Sequence, residues 1–369
     1  MAANPLLRIR EIGQSVWLDY IQRNLIENGE LERLIREDGL AGVTSNPAIF
    51  EKAISSGPEY AAPVMELARR GLPAAALIET LTLEDVGRAA DLFRPLYGGT
   101  QGGDGFVSIE VSPHLARDTS ATIAEAQRLW TTLGRPNVMI KVPATRAGLP
   151  AIRALIAAGV NVNITLLFSV ARYREVAEAW MAGLEDRARA GAPLGHVASV
   201  ASFFLSRIDT LVDKRLDKLG AGKARALRGQ AAVASARLAY LAYKRIEAEA
   251  RWQALARQGA RAQRLLWAST GTKDPAYSDL MYVEPLIGRE TVNTLTPETL
   301  AAYRDHGDPA ARLEDDIEAA RALPVALHTL GIDLDEVTRQ LEEEGIRKFV
   351  EPYDKLLATL EQRRRETLG

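Results

Sequence analysis

The sequence predicts an α/β fold, a single (β/α)8 TIM barrel with additional N- and C-terminal helices, on three observations. About eight short apolar, β-branched runs recur along the 369 residues. They alternate with long helical patterns at spacings of roughly 20–40 residues. No GxGxxG follows the first run, which removes the main support for the rival, a doubly wound sheet. Runs that are apolar on both faces belong to a parallel sheet buried beneath helices. No composition break, Pro/Ser linker or solenoid-type repeat divides the chain. Residues 1–369 therefore read as one barrel domain with a helical C-terminal extension over about 309–369.

The strands follow in order. SVWLD (15–19) is the first, and AGVTS (41–45) the second, closed by the turn signal Asn46-Pro47. GFVSIEV (105–111) is the third, entered through the glycine-rich YGGTQGGDG. NVMIKV (137–142), VNIT (162–165), HVASVASFF (196–204) and RLLWAST (264–270) are the fourth to seventh. TVNTL (291–295) is the weakest and the eighth. Helical patterns fill the gaps: 25–39, two within 59–96 split near Gly71-Leu72-Pro73, 114–134 ending at Gly134, 149–159, 169–191 and a long amphipathic 222–258. The tail reads as helices over 309–323, 333–344 and 346–366, rich in Arg and Glu as a solvated face is. Covering the outer helices is its expected place, with a lid across the barrel mouth the alternative.

Composition narrows the chemistry. Lys plus Arg is 46 against 48 Asp plus Glu, a net charge of -2, which argues against a generally basic nucleic-acid binder. Scattered aromatics at 6% offer no stacking platform for single strands. There is no cysteine, so disulfides, thiolate metal sites and a cysteine nucleophile are excluded. The four histidines, at 114, 196, 306 and 328, are far apart and match no metal motif. No metal and no cofactor are expected. Residues 1–20 carry acidic residues and no apolar core of a signal peptide, and no stretch approaches the ~18 apolar residues of a membrane span. The expectation is a soluble, cytoplasmic protein without nucleic-acid or membrane partners. The oligomeric state, monomer or homodimer, stays open.

In such a barrel, function sits at the C-terminal strand ends and the loops after them. Polar residues gather there: Asp19, Ser45-Asn46, Glu110, Lys141, Asn163 with Thr165, Ser202 with Arg207, and Ser269 leading to Lys273. Lys141 stands out among only nine lysines, flanked by Ile140 and Val142. A lysine buried in such a strand is expected to have a lowered pKa, and its free amine can form a Schiff base with a carbonyl. A lysine at a strand edge, or one paired to a carboxylate as a structural bridge, is the alternative. Asp19 could be a general base, a metal ligand or a helix cap. Glu110 could be a proton-transfer group or the salt-bridge partner of Lys141. Arg207 opens a helix and suits phosphate, or pairs locally with Asp209. The glycine stretch before the third strand is a plain connection, because phosphate loops lie between strand and helix.

The strings SVWLDYIQRNLI, GVTSNPAIF, GFVSIEVSP, NVMIKVPAT, NVNITLLFS, VASFFLSRID and WASTGTKDP, in this order over residues 15–275, together resemble the transaldolase family. Length and helical insertions are similar to its longer bacterial form; past about residue 300 only the helical character matches. The resemblance implies a metal-free, class I Schiff-base transferase of the pentose phosphate pathway. It would move a dihydroxyacetone unit from sedoheptulose 7-phosphate to glyceraldehyde 3-phosphate, giving erythrose 4-phosphate and fructose 6-phosphate. It places the Schiff base on Lys141, the aspartate on Asp19, the glutamate on Glu110 and a water-holding threonine on Thr165. Substrate contacts fall on Asn46, Ser202 and the phosphate-binding Arg207, with Ser45, Phe204 and Lys273 beside them. One departure is visible: many members carry a second phosphate-binding Arg after the seventh strand, where this chain has Ser269-Thr270-Gly271-Thr272-Lys273. Lys273 is the expected substitute.

Two rivals stand beside this reading. A fructose 6-phosphate aldolase uses the same lysine chemistry but releases free dihydroxyacetone; Glu110 favours the transferase. A non-catalytic sugar-phosphate-binding barrel would not need Lys141, Asp19 and Glu110 together.

Overall fold

In the computed structural model, which describes residues 4–220 and 222–368, eight parallel strands close into a barrel in sequence order. They are β1 (Gln14–Asp19), β2 (Gly42–Thr44), β3 (Phe106–Glu110), β4 (Val138–Pro143), β5 (Val162–Leu167), β6 (Ser199–Phe204), β7 (Arg264–Ala268) and β8 (Thr291–Leu295). Pairing of β8 with β1 completes the ring. All eight expected strands are present, the weak eighth included. The histidine-led start of the sixth run lies outside β6, which begins at Ser199.

Side chains two apart share a strand face. On β1 this sends Ser15, Trp17 and Asp19 into the barrel from bottom to top. Trp17 fills the middle and is fully buried. Its ring explains Gly42 on the neighbouring strand: a Cβ there would lie 2.6 Å from the indole. Trp17 and Phe106 meet with ring centroids 6.2 Å apart, so an aromatic plug separates the two mouths of the barrel. The outward residues of the same strands, such as Val16, Val43, Val107 and Ile140, are buried beneath the helices. That two-sided burial is why the runs are apolar throughout.

Local chemistry sets the helix ends. Asn46, Asp118 and Ser169 each accept a hydrogen bond from a backbone N–H in the first turn of the helix they precede. Gly134 ends its helix in the left-handed region, φ 57°. Several expected helices are divided differently. The 25–39 pattern is two helices, Arg23–Glu27 and Glu30–Glu37, broken where Gly29 takes φ 79°. The 222–258 pattern is three, Lys223–Ala226, Ala231–Ala248 and Ala250–Arg257, the last break made by extended backbone at Glu249.

The tail departs most. A helix at Pro297–His306 was not foreseen from the sequence, and the expected 309–323 helix instead spans Ile317–Thr329. The two expected final helices are one, Leu334–Leu368, running straight through Gly345. Gly345 stays within the helix and is a contact point: a Cβ there would sit 2.9 Å from Leu166 Cδ2, at the top of β5. The helix thus lies on the barrel mouth as well as on the outer helices, where Leu356 and Leu360 are buried. Among the described residues, no helix is long and apolar enough to cross a membrane.

Candidate active site

The C-terminal ends of the strands bring Lys141, Glu110 and Asp19 into one buried cluster. Lys141, on β4, is 4% exposed. Its register partner on β3 is Glu110. Lys141 Nζ donates to the Ser45 carbonyl at 2.8 Å and lies 3.6 Å from Glu110 Oε2. Both carboxyl oxygens of Glu110 are buried, without a hydrogen bond among the described residues. Burial raises the Glu110 pKa to about 7; the Lys141 charge opposes this and Asp19 adds to it. The pair is therefore a loose contact whose acid sits near neutrality, unlike a tight structural bridge.

Asp19 ends β1. Its Oδ1 accepts from Thr44 Oγ1 at 2.7 Å, and the same hydroxyl meets Thr294 Oγ1 at 2.8 Å. Burial raises the Asp19 pKa, against Lys141, the Thr44 hydrogen bond, Arg207 and Lys273. Among the described residues it caps no helix: its side chain accepts from Thr44, on the adjacent strand. Thr165 is fully buried and its hydroxyl has no partner among the described residues. The next residue, Leu166, has φ 56°, and the β5–β6 register shifts between Ile164 and Leu167. A non-glycine residue in the left-handed region is uncommon, and bulges of this kind re-aim side chains next to functional sites.

A hydrogen-bonded chain floors the site. Ser202 Oγ donates to Asn163 Oδ1 at 2.7 Å, and Asn163 Nδ2 donates to Ser108 Oγ at 3.0 Å. Ser45 Oγ donates to the Ser108 carbonyl at 2.7 Å, so Ser45 meets the lysine through its backbone while its hydroxyl is engaged elsewhere. Asn46 lines the cavity while its Oδ1 accepts from Ile49 N–H as the cap of Pro47–Ser56.

Arg207 is the second residue of the helix Ser206–Lys218. The local pair with Asp209 does not form; Asp209 accepts from Ala232 N–H and the Tyr282 hydroxyl instead. The Arg207 guanidinium carbon lies 5.4 Å from the Phe204 ring centroid and 5.9 Å from that of Phe349, and its Nη1 has no partner. Lys273 is exposed at the rim, beside Gly271, near enough to pull on Asp19 but not a wall of the cavity. The cavity among Asp19, Asn46, Lys141, Ser202 and Phe204 measures about 60 Å³.

The structure therefore gathers Asp19, Asn46, Glu110, Lys141, Thr165, Ser202, Phe204 and Arg207 around one mouth. Sequence reading assigned no role to Thr44, Ser108, Asn163, Thr294 or Phe349. Thr44, Ser108 and Asn163 share the inward parity of their strands with assigned residues, which was a usable signal. Phe349 has none, because it arrives from the tail.

Residues 16–360 match the family model described as transaldolase/fructose-6-phosphate aldolase. The chain is 48% identical to transaldolase 2 of Nostoc sp., over 98% of each chain. It is 48% identical to a transaldolase of Thermobifida fusca, over 97% of this chain and 98% of the relative. It is 51% identical to transaldolase 1 of Streptomyces avermitilis, over 95% and 93%.

Proposed function

The chain belongs to the transaldolase/fructose-6-phosphate aldolase family, and from that premise we propose that it is a transaldolase working through a Schiff base on Lys141. It takes a dihydroxyacetone unit from sedoheptulose 7-phosphate and gives it to glyceraldehyde 3-phosphate. The products are erythrose 4-phosphate and fructose 6-phosphate. The observation that carries this reading is one buried lysine 3.6 Å from a buried carboxyl that accepts no hydrogen bond among the described residues, with a second carboxylate in the same mouth.

Lys141 Nζ attacks the ketose C2 carbonyl. Loss of water from the resulting carbinolamine needs a proton delivered and a proton removed. Glu110 is suited to both, because a carboxyl with a pKa near 7 exists in both forms at neutral pH. A water held by the free Thr165 hydroxyl bridges the distance. The protonated imine then draws electrons. Asp19 takes the proton of the C4 hydroxyl, the C3–C4 bond breaks and the first aldose phosphate leaves. The enamine stays on Lys141 until the second aldose arrives and the steps reverse. The unpartnered Nη1 of Arg207 supports a phosphate contact, which would orient the reacting carbon.

The test is intact-mass analysis after borohydride reduction in the presence of fructose 6-phosphate, followed by peptide mapping. A reduced three-carbon adduct on the Lys141 peptide is expected, and prior addition of erythrose 4-phosphate should discharge it. An adduct that decays to free dihydroxyacetone without transfer would favour an aldolase. No adduct on any lysine would remove the covalent mechanism.

A further inference from the structure

The helix Leu334–Leu368 is held to the barrel at Gly345, whose missing Cβ lets its backbone lie on Leu166 and Phe168. One turn later, on the same face of the helix, comes Phe349. It is 4% exposed and forms a wall of the cavity that holds Asp19 and Lys141. Its ring centroid is 5.9 Å from Lys141 Nζ and 5.9 Å from the Arg207 guanidinium carbon. One aromatic face therefore covers the two cations to which the proposed mechanism gives its covalent and phosphate-binding steps. Among the described residues Arg207 makes no salt bridge, so Phe204 and Phe349 hold it between them and leave its donors free. The cavity beneath, about 60 Å³, has room for a few waters but not for a seven-carbon sugar phosphate. The ring has to shift for a donor to enter and can return once the aldose has left.

We propose that Phe349 decides whether the lysine-bound three-carbon unit meets a sugar or water. The inference rests on the transaldolase reading and concerns the interval between its two halves. In that interval the enamine is open to a competing reaction. Protonation at its C3 gives the iminium; water adds at C2; a proton is lost and the C2–N bond breaks, leaving free dihydroxyacetone and the Lys141 amine. Nothing but one water is consumed. The step needs a proton at C3 before the water held by Thr165 can add at C2, and Phe349 covers Lys141 on the cavity side from which bulk water would deliver that proton. An incoming aldose phosphate brings a phosphate for Arg207 and displaces the ring; water has no such anchor. Phe349 is thus a positioning and specificity residue.

The experiment charges the enzyme with fructose 6-phosphate while a coupling dehydrogenase removes glyceraldehyde 3-phosphate. It reads free dihydroxyacetone released against dihydroxyacetone transferred to erythrose 4-phosphate. Phe349→Ala should raise the ratio of release to transfer by about tenfold or more. Phe349→Tyr, which keeps the ring, should stay near the wild-type ratio. Leu360→Ala loosens the same helix at a buried site away from the cavity and should leave the ratio unchanged even where both rates fall. The inference is overturned if Phe349→Ala lowers both rates with a constant ratio, or if Leu360→Ala raises the ratio equally. Absence of any borohydride adduct in the wild type would instead overturn the transaldolase mechanism, and this inference with it.

Discussion

Ser15 and Asp19 stand four residues apart on one face of β1, one at each mouth of the barrel. At the lower mouth, Ser15 Oγ donates to Asp104 and accepts from Arg264 Nη1 at 2.8 Å. Arg264 Nη2 donates to Asp104 Oδ1 at 3.0 Å and to the Gly103 carbonyl at 2.9 Å, and Trp17 Nε1 donates to the same Oδ1 at 3.1 Å. The buried charge pair there, Asp104 and Arg264, is neutralised at hydrogen-bond distance, and Arg261 nearby donates to the Gly195 and Gln101 carbonyls. At the upper mouth, among the described residues, Glu110 accepts no hydrogen bond and meets Lys141 only at 3.6 Å, Thr165 Oγ and Arg207 Nη1 are free, and Lys141 spends a bond on a neutral carbonyl. Orphan atoms exist below as well, on Gln14 and Gln263, but these are neutral amide oxygens, which cost less to bury than charges. One barrel thus carries two polar clusters on the same strands. The lower one uses charge to hold strands together; the upper one keeps charge unsatisfied for a substrate to complete.

Substitutions should separate the two ends. Lys141→Met should cut transfer on the order of 10⁴-fold or more, because the covalent route is lost. Its melting temperature should hold or rise, since a buried cation without a tight partner is replaced by an apolar side chain of similar length. A fall of many degrees would mean that Lys141 belongs with the lower cluster as a structural group. Asp19→Asn should slow carbon–carbon cleavage by about 10²–10³-fold yet still yield a borohydride adduct. Failure to form the adduct would move Asp19 to the imine-forming half of the reaction.

The lower mouth should respond the other way. Asp104→Ala leaves Arg264, only partly buried, without its carboxylate. It should cost about 2 kcal/mol of stability, read by denaturant unfolding, while turnover at saturating substrate stays within about twofold. A large loss of turnover in a folded variant would show that the two mouths communicate through the Trp17 plug and would break the comparison.

How much of this could be read from the sequence follows the same division. The strands were legible because two-sided burial leaves an unbroken apolar run, and Lys141 and Glu110 were legible because they interrupt such runs. Register supplied what the sequence could not: Glu110 faces Lys141 because β3 and β4 pair in that phase. Gly29 and Gly345 show the limit. Both are glycines within helical patterns. Gly29 turns left-handed and ends a helix, whereas Gly345 stays helical where the helix packs too closely on Leu166 for a side chain. Only tertiary contact distinguishes them, and with Gly345 goes the path of the last helix and the placement of Phe349. The lower cluster was not anticipated at all. Ser15, Asp104 and Arg264 each look ordinary in sequence, and they meet only when the barrel closes, with β8 between β7 and β1.

The smallest expected effect is the most direct test of an unsatisfied acid. Glu110 titrates near 7 in the folded protein, through burial, against about 4.5 for the same carboxyl when exposed. Between those values the folded state holds a proton that the unfolded chain has released. Stability should therefore decline as pH rises from about 4.5 to 7 and level off above. Surface carboxylates held low by arginines, such as Glu361 beside Arg364, impose the opposite slope, mainly below this window. They are common to wild type and Glu110→Gln and cancel in the difference. The raised Asp19 cancels to the extent that it does not depend on the Glu110 charge. The melting temperature of Glu110→Gln minus that of wild type should thus grow from pH 4.5 to 7 and stay flat beyond. A difference independent of pH would mean that Glu110 is already satisfied in solution, and the upper mouth would then hold its acid as the lower holds Asp104.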